Sequence, residues 1–138
     1  MYVDDILISG PNKSEIQEVK DHLNKTFQMT DLGPVSYYLG MKITRDRPNR
    51  VIRLSQSGYV EQVLKDHGMW EVKPVSTPME TTSRSEKANV DYQAPTELRQ
   101  KYQSAVGSLM YAILGTRPDI AFAVLVVSRY GSNPTLAH

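Results

Sequence analysis

Two adjacent carboxylates, Asp4 and Asp5, are the first residues of the chain with chemistry to offer. They follow Met1-Tyr2-Val3 and precede Ile6-Leu7-Ile8-Ser9-Gly10, so charge sits at the start of what reads as a buried strand. Successive side chains of a strand point to opposite faces, and neighbouring acids in flat strand geometry cannot both face one ligand. A hairpin bend removes that obstacle. Carboxylates within a few ångströms of each other repel unless a cation lies between them. A hard divalent cation such as Mg²⁺ is often held by one or two carboxylates together with substrate phosphates. The other reading of this pair is a solvated turn ahead of an ordinary strand, and two acids alone do not decide between the two.

A second group of residues is basic. Lys42, Arg45, Arg47, Arg50 and Arg53 face a single carboxylate, Asp46, within twelve residues, a local charge of +4 in a chain whose formal net charge is only +1. Free-standing nucleic-acid binders usually carry a basic excess, because phosphate affinity rests on Lys and Arg. The whole-chain charge therefore gives that function no support, while this segment reads either as phosphate contact or as a solvated hairpin tip. His22 and His67 each stand alone, with no second ligand at metal-site spacing, and read as surface residues.

The elements that must position these groups follow from patterning. After Gly10-Pro11-Asn12, Ser14 with Gln17 three residues on has capping-box spacing, and Ile16, Val19, Leu23 and Phe27 form one helical stripe expected to lie across the sheet. Residues 36–45 and 51–54 read as strands around the turn Arg47-Pro48-Asn49-Arg50, with Gly40 as a bulge or a point of close backbone approach. A helix is expected from Ser55 or Ser57 to a stop at Gly68, with Tyr59, Val60, Val63 and Leu64 apolar. Trp70 after it reads as a plug between two subdomains, or else as a base-stacking residue. Residues 80–94 are polar and read as a mobile loop. Pro95 opens a long helix with Leu98, Tyr102, Ala105, Val106, Leu109, Met110 and Ile113 on one face and Gly115 at its end. Thr116, with Asp119, is expected to cap a last helix with Ile120, Ala121, Val124, Val127 and Ser128 inward. Arg117 beside that N-terminus opposes the macrodipole, which suggests an external anion.

Composition sets outer bounds. A chain of 138 residues, 40% hydrophobic, supports one modest core or two small subdomains. No cysteine is present, which excludes a disulfide scaffold or a zinc ribbon. No segment approaches the ~20 apolar residues of a membrane helix. The expected setting is intracellular and cytoplasmic, with a virus-like particle or the nucleus as alternatives, and no membrane partner.

Tyr2-Val3-Asp4-Asp5-Ile6-Leu7-Ile8 resembles the metal-binding hairpin of reverse transcriptases, in the form of the copia-type LTR retrotransposon branch. The resemblance continues through Phe27-Gln28-Met29-Thr30-Asp31-Leu32-Gly33, Tyr38-Leu39-Gly40-Met41-Lys42-Ile43, Leu54-Ser55-Gln56, Tyr59-Val60 and Pro74-Val75-Ser76-Thr77-Pro78-Met79. It ends in Tyr102-Gln103-Ser104-Ala105-Val106-Gly107-Ser108-Leu109-Met110-Tyr111 and Thr116-Arg117-Pro118-Asp119-Ile120-Ala121-Phe122-Ala123. It implies an α+β fold: a partial palm sheet of short antiparallel strands with one packed helix over residues 1–56, including a primer-grip-like hairpin, then a helical thumb over 57–138.

The resemblance also implies function. Asp4 and Asp5 would be catalytic, holding Mg²⁺ in a two-metal site that is incomplete in this chain, since the family's third acid lies on an earlier strand. Tyr2 would pack beside the primer terminus, and Tyr38, Leu39, Gly40 and Met41 would hold the primer's 3′ end; Lys42, Arg45, Arg47, Arg50 and Arg53, by their local charge, are the candidates for further nucleic-acid contact. The implied partners are an RNA template, a DNA primer and deoxynucleoside triphosphates, with a second copy or the rest of a polyprotein completing the palm. The expected function is RNA-directed DNA synthesis in the parent polyprotein and none by this chain alone. The alternatives are a nucleic-acid-binding relic without catalysis and a plain structural α+β domain.

Overall fold

A computed structural model describes residues 4–80, 89 and 91–138, and the chain divides into two units, Met1–Arg53 and Leu54–His138. The architecture is α+β as expected: among the described residues, three short strands form one sheet, and there are four α-helices. Part of the anticipated mobile loop, 81–88 and 90, lies outside the described residues.

In the first unit, Asp4 sits in a turn and Asp5 in an isolated bridge, and residues 6–10 form no strand. The expected buried strand at Ile6-Leu7-Ile8 is thus not present. Ile6 and Leu7 are exposed, and none of the three strands of the sheet pairs with this stretch. Helix α1 (Lys13–Thr26) follows. Its cap is Asn12 rather than Ser14: the Asn12 side chain accepts from Ser14 N at 3.0 Å and donates to Glu15 at 3.2 Å, so the capping pair is Asn12/Glu15. Asn precedes the helix in extended geometry, where its short acceptor reaches the unpaired amides. Gln17 instead donates to Asp21 one turn on. The apolar stripe is only partly covered. No residue of α1 is buried, and Phe27 is 60% exposed, so the helix does not pack across the sheet as the stripe suggested.

The segment after α1 is fastened by Asp31, which accepts from Lys20 Nζ at 2.8 Å and from the backbone of Gly33 at 2.9 Å. Both bonds hold its carboxyl below the usual aspartate range, Lys20 first. The sheet has the order β1 (Tyr37–Tyr38), β2 (Met41–Asp46), β3 (Val51–Ser55).

The second unit is helical. Helix α2 (Ser57–Asp66) ends in a Schellman arrangement, with Gly68 at φ 67°, its amide on Lys65 and that of Met69 on Leu64. The N-cap is Gln56, not a serine. Helix α3 (Thr96–Gly115) packs on α4 (Ala121–Ser128) and on the 3₁₀ turn between them (Pro118–Ile120), around Ala112, Val124 and the buried Pro134. Of the expected stripe, Val124 is buried and Ile120, Ala121, Val127 and Ser128 are half-buried, while Met110 on α3 is exposed. Thr116 caps the end of α3 rather than the start of α4, and its hydroxyl donates to Gln56 at 2.8 Å. Trp70 is only half-covered within the second unit. It is 48% exposed, and Lys65, near the end of α2, lays its ammonium 4.8 Å from the ring centroid.

Candidate nucleic-acid interface

The residues singled out as Tyr38, Leu39, Gly40 and Met41 form a turn rather than a continuous strand. Leu39 and Gly40 have φ of 48° and 71°, the type I′ pattern of a two-residue hairpin, so the expected strand over residues 36–45 reverses direction there. Gly40 is needed for that backbone shape, not as a bulge. The ladder fixes the side chains: Tyr38 lies opposite Met41 and Tyr37 opposite Lys42, and the amide of Ile43 donates to Ser36 O at 2.8 Å.

A second turn, residues 47–50, joins β2 to β3. Its shape rests on Asp46, which accepts from the Asn49 amide at 3.1 Å and from the Asn49 side chain at 2.8 Å. Those bonds lower the Asp46 pKa, the side-chain bond most. Arg50 completes the turn at φ 55°, a left-handed conformation that costs a non-glycine residue on the order of 1 kcal/mol. The one carboxylate of the segment is therefore engaged with Asn49. Lys42, Arg45, Arg47, Arg50 and Arg53 are all exposed, and among the described residues none of the five forms an ion pair.

Asp4 and Asp5 are exposed, and no group of three or more His, Cys, Asp or Glu that could hold a metal forms among the described residues. Their oxygens are the right kind of donor for a hard divalent cation. Tyr2 lies outside the described residues. Arg117 does not await an anion: it grips Asp119 through two nitrogens, at 2.9 and 2.7 Å, which lowers the acid's pKa.

Two residues gain importance only from the structure. Gln56 is 2% exposed; its amide nitrogen donates to Tyr111 O at 3.3 Å, its oxygen accepts from Thr116, and any Cβ at Gly115 would strike it. Nothing in the local sequence marks a glutamine as the post between two helices. Tyr37, beside the sought Tyr38, is 66% exposed. The run Tyr37-Tyr38 marks the place, but only the register says which ring faces outward.

A sequence profile described as reverse transcriptase (RNA-dependent DNA polymerase) matches residues 1–81. The chain is 48% identical over its full length to a retrovirus-related Pol polyprotein from transposon TNT 1-94 of Nicotiana tabacum, of which it covers 11%. It is 42% identical, over 99% of its length, to an uncharacterized mitochondrial protein of Arabidopsis thaliana, of which it covers 54%. It is 35% identical to the retrovirus-related Pol polyprotein from transposon RE1 of the same plant, covering 9% of it. The chain thus spans about a tenth of these polyproteins and about half of the mitochondrial protein. No solved structure matches it.

Proposed function

The chain belongs to the reverse transcriptase (RNA-dependent DNA polymerase) family, in its copia-type retrotransposon branch, and on that premise we propose that it serves RNA-directed DNA synthesis by holding the primer–template duplex. The observation that carries this reading is the hairpin bearing Lys42, Arg45, Arg47, Arg50 and Arg53. Five exposed cations, none in an ion pair among the described residues, sit on a hairpin closed by turns with positive φ at Leu39, Gly40 and Arg50, and concentrate positive charge in a chain of nearly neutral net charge. Unpaired cations on a preordered backbone release counterions on meeting phosphates. The turn Tyr38-Leu39-Gly40-Met41 would present backbone to the primer end, with residues 1–56 acting as palm and 57–138 as thumb.

Reverse transcriptases generally use Mg²⁺. Asp4 and Asp5 would supply carboxylate oxygens to it, and Tyr2 would pack beside the primer terminus. The bound ions would stabilise the attacking primer oxygen and the leaving phosphate oxygen. The residues of this chain contribute two acids to that task and position the strands. The remaining ligands, the deoxynucleoside triphosphate site and the rest of the palm would come from the larger polyprotein or a second copy.

The test is fluorescence anisotropy of the 138-residue chain with a labelled DNA primer on an RNA template at low salt. Binding should be measurable and should fall several-fold when Arg45, Arg47, Arg50 and Arg53 are changed together to Gln. Equal affinity for both proteins, or no binding by the native chain, would refute the reading.

A further inference from the structure

We propose that Tyr37 is a stacking platform for an unpaired base, so that the hairpin discriminates in favour of single-stranded nucleic acid beyond its charge-driven hold on any phosphate backbone. This rests on the nucleic-acid reading above and adds a ligand class and a residue to it. Tyr38 and Met41 flank the two-residue turn as a hydrogen-bonded pair, and Ile43 N bonds Ser36 O, so Tyr37 and Lys42 form the intervening non-hydrogen-bonded pair. In antiparallel sheets that pair brings side chains closest. An aromatic ring and an ammonium therefore stand side by side on one face.

Tyr37 is 66% exposed whereas Tyr38, on the opposite face, is half-buried, so the outward ring adds little to the core. The ring face is not taken by a cation: the cation–π contact among the described residues is the one between Lys65 and Trp70. Lys42 beside it is exposed and forms no ion pair among the described residues, which leaves its ammonium for the phosphate that follows a stacked base. An open aromatic face next to a positive track is the combination by which proteins hold single strands, because every base has a π-face and stacking tolerates sequence. A duplex offers this ring no base face. The ring is carried on a hydrogen-bonded strand beside a tight turn, with Leu39 and Gly40 at positive φ.

The experiment measures affinity of the full chain and of Tyr37→Ala, Tyr37→Leu and Tyr37→Phe for labelled oligo-dT, oligo-rU and a blunt duplex at one salt concentration, with melting curves for each protein. Tyr37→Ala and Tyr37→Leu should weaken single-strand binding by about 5- to 100-fold, leave the duplex within two-fold, and Tyr37→Phe should bind as the native chain does. The two single-stranded probes report whether the strand held is DNA, RNA or both. Single-strand affinity unchanged in a folded Tyr37→Leu protein would overturn the inference while leaving the nucleic-acid reading standing. Equal losses on single strand and duplex would also overturn it. Failure of the native chain to bind any of the three would overturn both.

Discussion

At the scale of single residues, two contacts set the stability of the helical unit. Gln56 is buried with both ends of its amide bonded, and Gly115 is the space that admits it. Gln56→Ala should cost about 1–3 kcal/mol, since it orphans the Thr116 hydroxyl and opens a cavity. Gly115→Ala should cost a similar amount by expelling the same amide, and the double variant should cost clearly less than the sum, because one interaction is lost twice. Urea denaturation of the four proteins measures this, and strict additivity would contradict the contact. Tyr102 donates to Val127 O at 2.7 Å, and burial raises its phenol pKa, with Tyr130 adding to the shift. A raised pKa favours the protonated form in the folded state. Its stabilisation is complete below the unfolded value near 10 and is lost as pH rises through the folded one. The melting temperature should therefore fall above about pH 10, and Tyr102→Phe should remove part of that fall while costing about 1 kcal/mol at neutral pH.

At the scale of elements, periodicity located most of the structure and local chemistry set its edges. The long face from Leu98 to Ile113 and the inward set on α4 were legible because helical spacing reports burial directly. The cap of α1 moved to Asn12 because several residues could each cap, and only geometry chooses among them. The strand expected over residues 36–45 is two strands, because an aromatic and β-branched run hides a tight turn. Leu39, unlike Asn or Gly, gives no sign of adopting positive φ. Ile6-Leu7-Ile8 has strand composition, yet a strand needs a neighbour, and none of the described strands supplies one. The basic hairpin was legible as a charge run, while the freedom of its cations from ion pairs was not. Gly40→Ala should lower the stability of the first unit by about 1 kcal/mol, because a side chain at φ 71° is strained. The same change should weaken primer–template binding, measured by anisotropy. Unaltered stability would show that the turn does not constrain the hairpin.

At the scale of the whole molecule, the chain is nearly neutral, and residues 42–53 carry a local charge of +4 next to the turn at Leu39-Gly40. On the proposed reading Asp4 and Asp5, both exposed, would give their carboxylates to a metal site shared with residues outside this chain. A primer-extension assay with Mg²⁺ and an RNA template should accordingly give no incorporation by this chain alone. Incorporation abolished by Asp4→Asn and Asp5→Asn would reverse that expectation. The central claim is that the hairpin cations meet phosphates, and the salt dependence of primer–template affinity tests it most directly. The slope of log affinity against log salt should be negative and should shrink by roughly 0.7–0.9 for each cation that contacts a phosphate when Lys42, Arg45, Arg47, Arg50 and Arg53 are changed to Gln in turn. A slope that stays the same through all five substitutions would contradict it.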